Sequence, residues 1–483
     1  MFTTAPLFGR FHSPLKDVAQ SLRRRPLHHW ETLCAHRLAP ALLEPNAEGD
    51  NCRQRVFTPK LTFLTFLDQV LNPDSSCRNA LDQVKSYYQS QVQYPDIADN
   101  TSAYCQARAR WTTGELIEIR RQLAGGVALH ANTLLSWVPG QRPLKVVDGS
   151  SFNLPDTFAN RAVCPQSGEQ APGCGFPLVR LVSVFCLKTG MLLEECSAPY
   201  TTSENALFQE LWSTFQAGDI VVDDRNFSSF GSLAGLEQQG VDSIAHLHAS
   251  RNADFRQGVR LGPNDRLVTW AKPRNRPANL TPEQWAALPA TLAVRLVRFR
   301  LLTRNGRCQK ITLATTLTDS KLWPVELLAA IYARRWKIEL YWDDIKTTLK
   351  MDHLSCLTPE MIHKELQMHF IAYNLIRALM IESALTGDVP LDRISFKGTL
   401  DAARQYSLAL GKIPASHRHR RRALYAEMLA TIAGAPVPER PDRREPRCQK
   451  RRPKPYPFMT RPRHLMKDPP KRSRCTKITT SLT

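Results

Sequence analysis

The chain reads as an α/β protein: a helical N-terminal stretch, a core of strands and helices interrupted by a β-rich segment, then a helical region and a basic tail. Apolar residues recur at helical spacing early in the chain, β-branched runs take over from about residue 143, and long apolar helices return after 319.

Residues 1–140 form the helical N-terminal unit. Leu61, Leu64, Phe66, Leu67, Val70 and Leu71 recur as one buried stripe, and Tyr94-Pro95 and Asp99-Asn100-Thr101 break the pattern. With Arg108, Arg110, Arg120 and Arg121 the unit suits DNA recognition; the competing reading is a helical cap on the next domain. From 143 to 249 strands are expected over Val146–Leu154, Leu178–Leu187 and Leu192–Tyr200, then a helix N-capped by Ser203 and a strand ending at Asp224. Ser228–Gln239 reads as a helix and Asp242–His248 as a strand. This order suits a ribonuclease-H-like core, a mixed sheet with helices on both sides.

A β-rich insertion is expected over 250–318, with strands at Leu267–Trp270, Leu292–Leu302 and Lys310–Leu317 between Pro, Asn and Gly turns. The core resumes over 319–385, a helical C-terminal region covers 386–435, and His417-Arg418-His419-Arg420-Arg421-Arg422 opens its last helix. Residues 436–483 form the tail. Residues 440–477 hold 15 Lys and Arg against 3 Asp and Glu, amid many prolines, so this segment is expected to be disordered or laid on DNA.

The whole chain carries 65 Lys and Arg against 44 Asp and Glu, a net charge of +21, which favours a polyanionic partner. No apolar run reaches the ~18 residues that span a bilayer. Arg23-Arg24-Arg25 faintly resembles an organellar transit segment. The 12 cysteines include no CxxC pair, which argues against structural zinc. Cys164 and Cys174 share one loop, and Cys34-Ala-His36 is a lone pairing. His246-Leu-His248 alternates on a strand and reads as packing or DNA contact.

The chemistry concentrates in three places. At ~100° per residue Tyr332, Arg335, Glu339 and Lys346 fall within a wedge of ~60° on one helix. A carboxylate flanked by a phenol and two cations suits phosphodiester chemistry, although Arg335 and Glu339 also make an ordinary i, i+4 helix pair. Upstream, Lys145-Val146-Val147-Asp148 and Asp219-Ile220-Val221-Val222-Asp223-Asp224 each read as a strand ending in Asp. Carboxylates gathered from such strand ends repel by roughly 3 kcal/mol per pair at ~5 Å, so cations must accompany them; oxygen ligands favour Mg²⁺ or Mn²⁺. Asp223 is expected on the opposite face of its strand.

With these residues in view the chain resembles the DDE transposases of the insertion-sequence-four family. That family's YREK signature, Tyr, two residues, Arg, three residues, Glu, six residues, Lys, is matched by Tyr332, Arg335, Glu339 and Lys346 without a gap. Its first Asp resembles Asp148 and its second Asp224, in Asp224-Arg225-Asn226-Phe227, where Asn226 replaces the commoner Gly; Asn tolerates a left-handed turn. Further similarity lies in Ser102–Arg108, Gly173-Cys174-Gly175-Phe176-Pro177 and the basic run Lys450–Lys454.

The resemblance implies cut-and-paste DNA transposition by a bacterial cytoplasmic enzyme. Asp148, Asp224 and Glu339 would hold two Mg²⁺ or Mn²⁺ ions, and Tyr332, Arg335, Lys346 and, more weakly, Arg225 would hold DNA phosphates. The insertion would contact the transposon end, with Trp270 stacking on an extruded base or packing in the core. Double-stranded DNA and a homodimer on it are the implied partners. The alternatives are a ribonuclease-H-like nuclease or resolvase, and an inactive transposase acting as a DNA-binding repressor. Asp343, one turn beyond Glu339, competes with it as the third acid.

Overall fold

Strands form where β-branched residues alternate: β1 (Leu144–Asn153), β2 (Leu178–Cys186), β3 (Leu192–Pro199), β4 (Ile220–Asp223), β5 (Asp242–His246), β6 (Val259–Gly262), β7 (Asp265–Ala271), β8 (Thr291–Leu302) and β9 (Cys308–Thr315). The computed structural model describes residues 28–34, 37–44, 56–72, 75–89, 97–128, 137–302, 308–439 and 458–466. Most of the basic tail, Arg23-Arg24-Arg25, Tyr94-Pro95 and His36 lie outside the described residues. All nine strands join one sheet in the order β3-β2-β1-β4-β5-β9-β8-β7-β6. β1, β2 and β3 are antiparallel neighbours, β4 and β5 run parallel to β1, and β9 returns antiparallel to β5. The strands of 250–318 therefore continue the central sheet, and β6 adds one that the sequence pattern did not announce.

Each strand divides its side chains between two apolar cores. In β1, Val146 enters a core shared with the N- and C-terminal helices, whereas Val147 enters one roofed by residues 207–236. Among the described residues the α-helices of seven residues or more are α1 (Pro59–Leu71), α2 (Cys77–Gln89), α3 (Ser102–Arg110), α4 (Thr113–Ala128), α5 (Glu204–Glu210), α6 (Phe230–Gln238), α7 (Val325–Ala333), α8 (Lys337–Asp343), α9 (Pro359–Thr386), α10 (Phe396–Gly411) and α11 (Arg418–Ala433).

The apolar stripe of α1 is buried throughout, as its spacing requires, and Thr58 caps the helix by accepting from Leu61 N–H at 3.2 Å. α9 is the axis of the first core. Ile362, Leu366, Phe370, Tyr373 and Leu379 are buried along it, and it packs on α1, α4, α10 and α11. Fully burying one such side chain contributes about 1.5–3 kcal/mol. Asn374 ties α9 to the sheet edge, accepting from Leu192 N–H at 2.9 Å and donating to Leu192 O at 2.8 Å.

Two of the arginines assigned to DNA recognition are built into this packing. Arg108 is buried over the Phe66 and Tyr104 rings, at 4.9 and 5.1 Å from their centroids. Arg120 is only 1% exposed and donates to Glu194 at 2.9 Å and to Leu193 O at 2.5 Å. These guanidinium groups fasten helices to one another and to β3, which corrects the expectation that they face DNA. Burial wins because a charged side chain with several acceptors satisfies itself inside the fold.

Candidate active site

The parallel register of β1 and β4 sets the site. Val146 stands opposite Val222, so two residues on, Asp148 and Asp224 come side by side on adjacent strands and on the same face. β1 runs on to Asn153, as the strand expected over 146–154 requires, so Asp148 lies within it rather than at its end; β4 ends at Asp223, just before Asp224. Asp224 then caps a short 3-10 turn, Arg225–Phe227, by accepting from Arg225 N–H at 2.7 Å. Asn226 lies inside this turn and takes no positive φ, so its tolerance of a left-handed backbone is not called upon. Its amide instead donates to Glu204 Oε2 at 3.3 Å.

Burial pushes the Asp148 carboxyl up to about 6, against the pull of the Arg335 guanidinium and with the charge of Asp224 adding to the rise. Asp223 is fully buried and neither of its carboxyl oxygens has a hydrogen-bond partner. Alternation along β4 puts it on the side of Val221, away from Val222. Burial and the neighbouring Asp224 hold its carboxyl well above the usual range.

The segment carrying the four-residue signature is helical but not one uniform α-helix. α7 passes through a 3-10 turn at Arg334–Trp336 into α8, and a π turn follows over Asp344–Thr348, closed by Leu349 N–H donating to Asp344 O at 3.0 Å. The 60° wedge assumed one helical pitch; tightening at Arg335 and widening at Lys346 change it at both ends. Tyr332 and Arg335 are buried, with the guanidinium 5.7 Å from the Tyr332 ring centroid. Burial works against the charge of Arg335, and Tyr332, Asp224 and Asp148 favour it. Lys346 Nζ donates to Ser151 O at 2.8 Å, joining the far end of the segment to β1.

Glu339 is not drawn into the acidic group. It is exposed, and among the described residues no hydrogen bond or ion pair holds it. A third carboxylate without a cation gains nothing by approaching two others. Asp343 is likewise exposed on the next turn.

Arg225, exposed, approaches the His246 imidazole at 3.1–3.3 Å, and the His246 ring meets Tyr332 edge-on at 6.0 Å. Burial, then Arg225, lowers His246 to about 4, so the ring is neutral and accepts from the guanidinium. His248, beyond the end of β5, pairs with Ser250 instead, and the two histidines form no ligand pair. Sequence reasoning missed Glu204, which reaches Asn226 and adds its charge to those acting on Asp148. Its only signal was its place beside the N-cap Ser203. Trp270 is half-buried, with the Arg251 guanidinium 3.9 Å from its ring centroid.

A buried group elsewhere, His28, His29 and Asp68, is the one cluster of metal-ligand type among the described residues. Asp68 Oδ1 there already meets the Trp30 indole N–H and the Asn72 amide at 2.6 Å and His29 at 3.2 Å. No helix among the described residues is long and apolar enough to cross a membrane.

Residues 139–375 match the family described as Transposase DDE domain, a span that includes the two aspartates and the whole signature. The transposase InsG of insertion sequence element IS4 from Escherichia coli K12 is 27% identical over 325 residues, 65% of this chain and 69% of that protein. A putative transposase InsZ of the same organism is 28% identical over 152 residues, 31% of this chain and 50% of its own. A cryo-EM structure of piggyBac transposase in a synaptic complex with hairpin DNA is similar at a TM-score of 0.40 and 10% identity, over 86% of each chain. The family match and the IS4 relative agree with the spacing of Tyr332, Arg335, Glu339 and Lys346: residues 139–375 carry a transposase DDE domain, and the chain is similar to a transposase of the insertion-sequence-four family.

Proposed function

We propose that this transposase excises and inserts its element by cut-and-paste, with Asp148, Asp224 and Glu339 as the acids of one cation-dependent centre. The observation that carries the reading is the β1–β4 register, which brings Asp148 and Asp224 to neighbouring positions on one face of the sheet, in the field of the buried Arg335. The order β3-β2-β1-β4-β5 in the first part of the sheet, three antiparallel strands followed by two parallel to β1, supports a ribonuclease-H-like core over 143–249 and 319–385. The N-terminal helices, the strands of 250–318 and the basic tail would be its DNA-binding additions.

The donor set fits Mg²⁺ or Mn²⁺: all-oxygen ligands, with an Asp148 carboxyl raised by burial and by Asp224 that a bound cation would favour in its charged form. A pair of such ions supplies the charge neutralisation and water activation that in-line displacement at a phosphodiester requires. Asp148 and Asp224 would hold the ions from the strands, and Glu339, exposed on α8, would be the third ligand. Arg335, buried beneath, keeps the two aspartates close before any ion binds. Arg225 and Lys346 reach the phosphates of double-stranded DNA, and Tyr332 fixes Arg335 from behind. Joining two element ends calls for two copies of the chain.

The test uses full-length protein and a plasmid carrying the gene with its flanking DNA. Asp148→Asn, Asp224→Asn or Glu339→Gln each abolishes cleavage in Mg²⁺ and Mn²⁺ while end binding remains; Asp343→Asn stays active in at least Mn²⁺. Near-wild-type nicking by any of the first three removes that residue from the centre. Cleavage without strand transfer in the parent protein would favour a nuclease or resolvase, and binding with no cleavage at all a repressor.

A further inference from the structure

We infer that Glu204 is a positioning residue for this centre, tethering the Asp224-Arg225-Asn226 turn to β1 at Gly149, next to Asp148. The inference rests on reading Asp148 and Asp224 as reacting acids. Glu204 opens α5, whose cap is Ser203 Oγ accepting from Ala206 N–H at 3.2 Å, and Leu207 and Phe208 bury the same helix in the second core. Its stem is therefore rooted, and the carboxylate is delivered to a defined place.

That place is the space above Gly149. An ideal Cβ on Gly149 would stand 2.7 Å from the Glu204 carboxyl carbon and 2.8 Å from its Oε1, so any side chain there would displace the carboxylate. Gly149 is not among the residues with positive φ, so what it contributes is room rather than an unusual backbone. From the other side the Asn226 amide donates to Oε2 at 3.3 Å. One carboxylate thus touches the neighbour of Asp148 and the turn that follows Asp224, and it spans the gap between the two strands. The resembled family usually places Gly where this chain has Asn226, and Gly has no side chain to reach Glu204. The Glu204–Asn226 pair accounts for that departure: the turn is held by a side-chain bond.

Because the separation of the two aspartates sets how they grip a cation together, loosening the turn should slow cleavage more than it weakens DNA binding. The experiment measures end cleavage in Mg²⁺, end binding and thermal melting for the full chain with Glu204→Ala, Asn226→Ala, their combination, Glu204→Gln and Asp148→Asn. Glu204→Ala and Asn226→Ala are expected to lower kcat on the order of tenfold, with KM and melting nearly unchanged. The combination should be no slower than the worse single change, since both remove one tether. Glu204→Gln, whose amide oxygen still accepts from Asn226, should restore kcat to within about threefold of the parent. Gly149→Ala, which expels the carboxylate, should reproduce the loss.

Parent-like kcat in Glu204→Ala overturns the proposal, as do multiplicative losses in the combination. A Glu204→Gln variant as slow as Glu204→Ala also overturns it, because the charge rather than the tether would then matter. If Asp148→Asn still cleaves, it is the reading of the acidic centre that fails; if Asp148→Asn is inactive while Glu204→Ala is unaffected, only the tether fails.

Discussion

Lys346 Nζ donates to the backbone oxygen of Ser151 at 2.8 Å, fastening the π turn of the signature segment to β1 three residues beyond Asp148. Burial lowers the basicity of this amine, against the charges of Asp352 and Asp148. One ammonium proton is spent on the sheet, and two remain for phosphate. Lys346→Met keeps the apolar stem but should lower stability by about 1 kcal/mol and end cleavage on the order of tenfold. Urea unfolding and cleavage assays separate the two effects. Reduced stability with intact cleavage would make Lys346 a fastener alone.

The buried Arg120 belongs to the fold rather than to DNA. Arg120→Ala should destabilise the protein by roughly 3 kcal/mol, because it strips a buried guanidinium from Glu194, Leu193 O and Gln367. Arg121, half-exposed on the same Glu194, should cost less than about 1 kcal/mol on the same change. For the folded protein, the salt dependence of DNA affinity should be unchanged by Arg120→Ala. A shallower salt slope would show that Arg120 neutralises a phosphate.

Inside the β-rich segment, Arg295 grips Asp265 through two bonds, of 2.9 and 2.6 Å, and donates to Trp323 O at 2.7 Å. Both partners are buried. Asp265→Ala leaves that guanidinium uncompensated and should cost about 3–5 kcal/mol, whereas the joint change Asp265→Leu with Arg295→Met should recover most of the loss. Chemical denaturation of the single and double variants checks this. Equal losses in both would mean that packing volume, not charge, governs the site.

His369 supplies a pH signature. Burial lowers it to about 4 from an ordinary 6.5, and its Nδ1 has no hydrogen-bond partner. Between those values the unfolded chain binds a proton that the folded chain refuses, so stability is full above pH 6.5 and falls as the pH drops towards 4. The contribution is at most about 3 kcal/mol. His369→Leu should flatten the fall in urea midpoint between about pH 6.5 and 4.5. An unchanged slope would place the acid sensitivity in other groups.

Several elements are legible in the chain's local patterns. The apolar stripe of α1, the N-cap at Ser203, the helices containing 361–385 and opening at His417 and the strand before Asp224 all follow from periodicity and capping. β6 escaped because Val259–Gly262 is short and partly exposed, with too little alternation to announce a strand. The 3-10 and π turns escaped because helical spacing reports angle around an axis and not pitch.

What the sequence alone determined was the set of candidate residues: the spacing of Tyr332, Arg335, Glu339 and Lys346, and two β-branched runs carrying Asp148 and Asp224. What only the tertiary structure decided was their company. The parallel register of β1 and β4 put Asp148 beside Asp224, the strands from 250 to 318 extended one sheet, Arg108 and Arg120 went inside, and Glu204 came to lie over Gly149. Spacing along a chain sets which face a side chain shares. Which distant residue meets it there depends on strand register and burial, and these are set by the packing of the whole sheet against its helices.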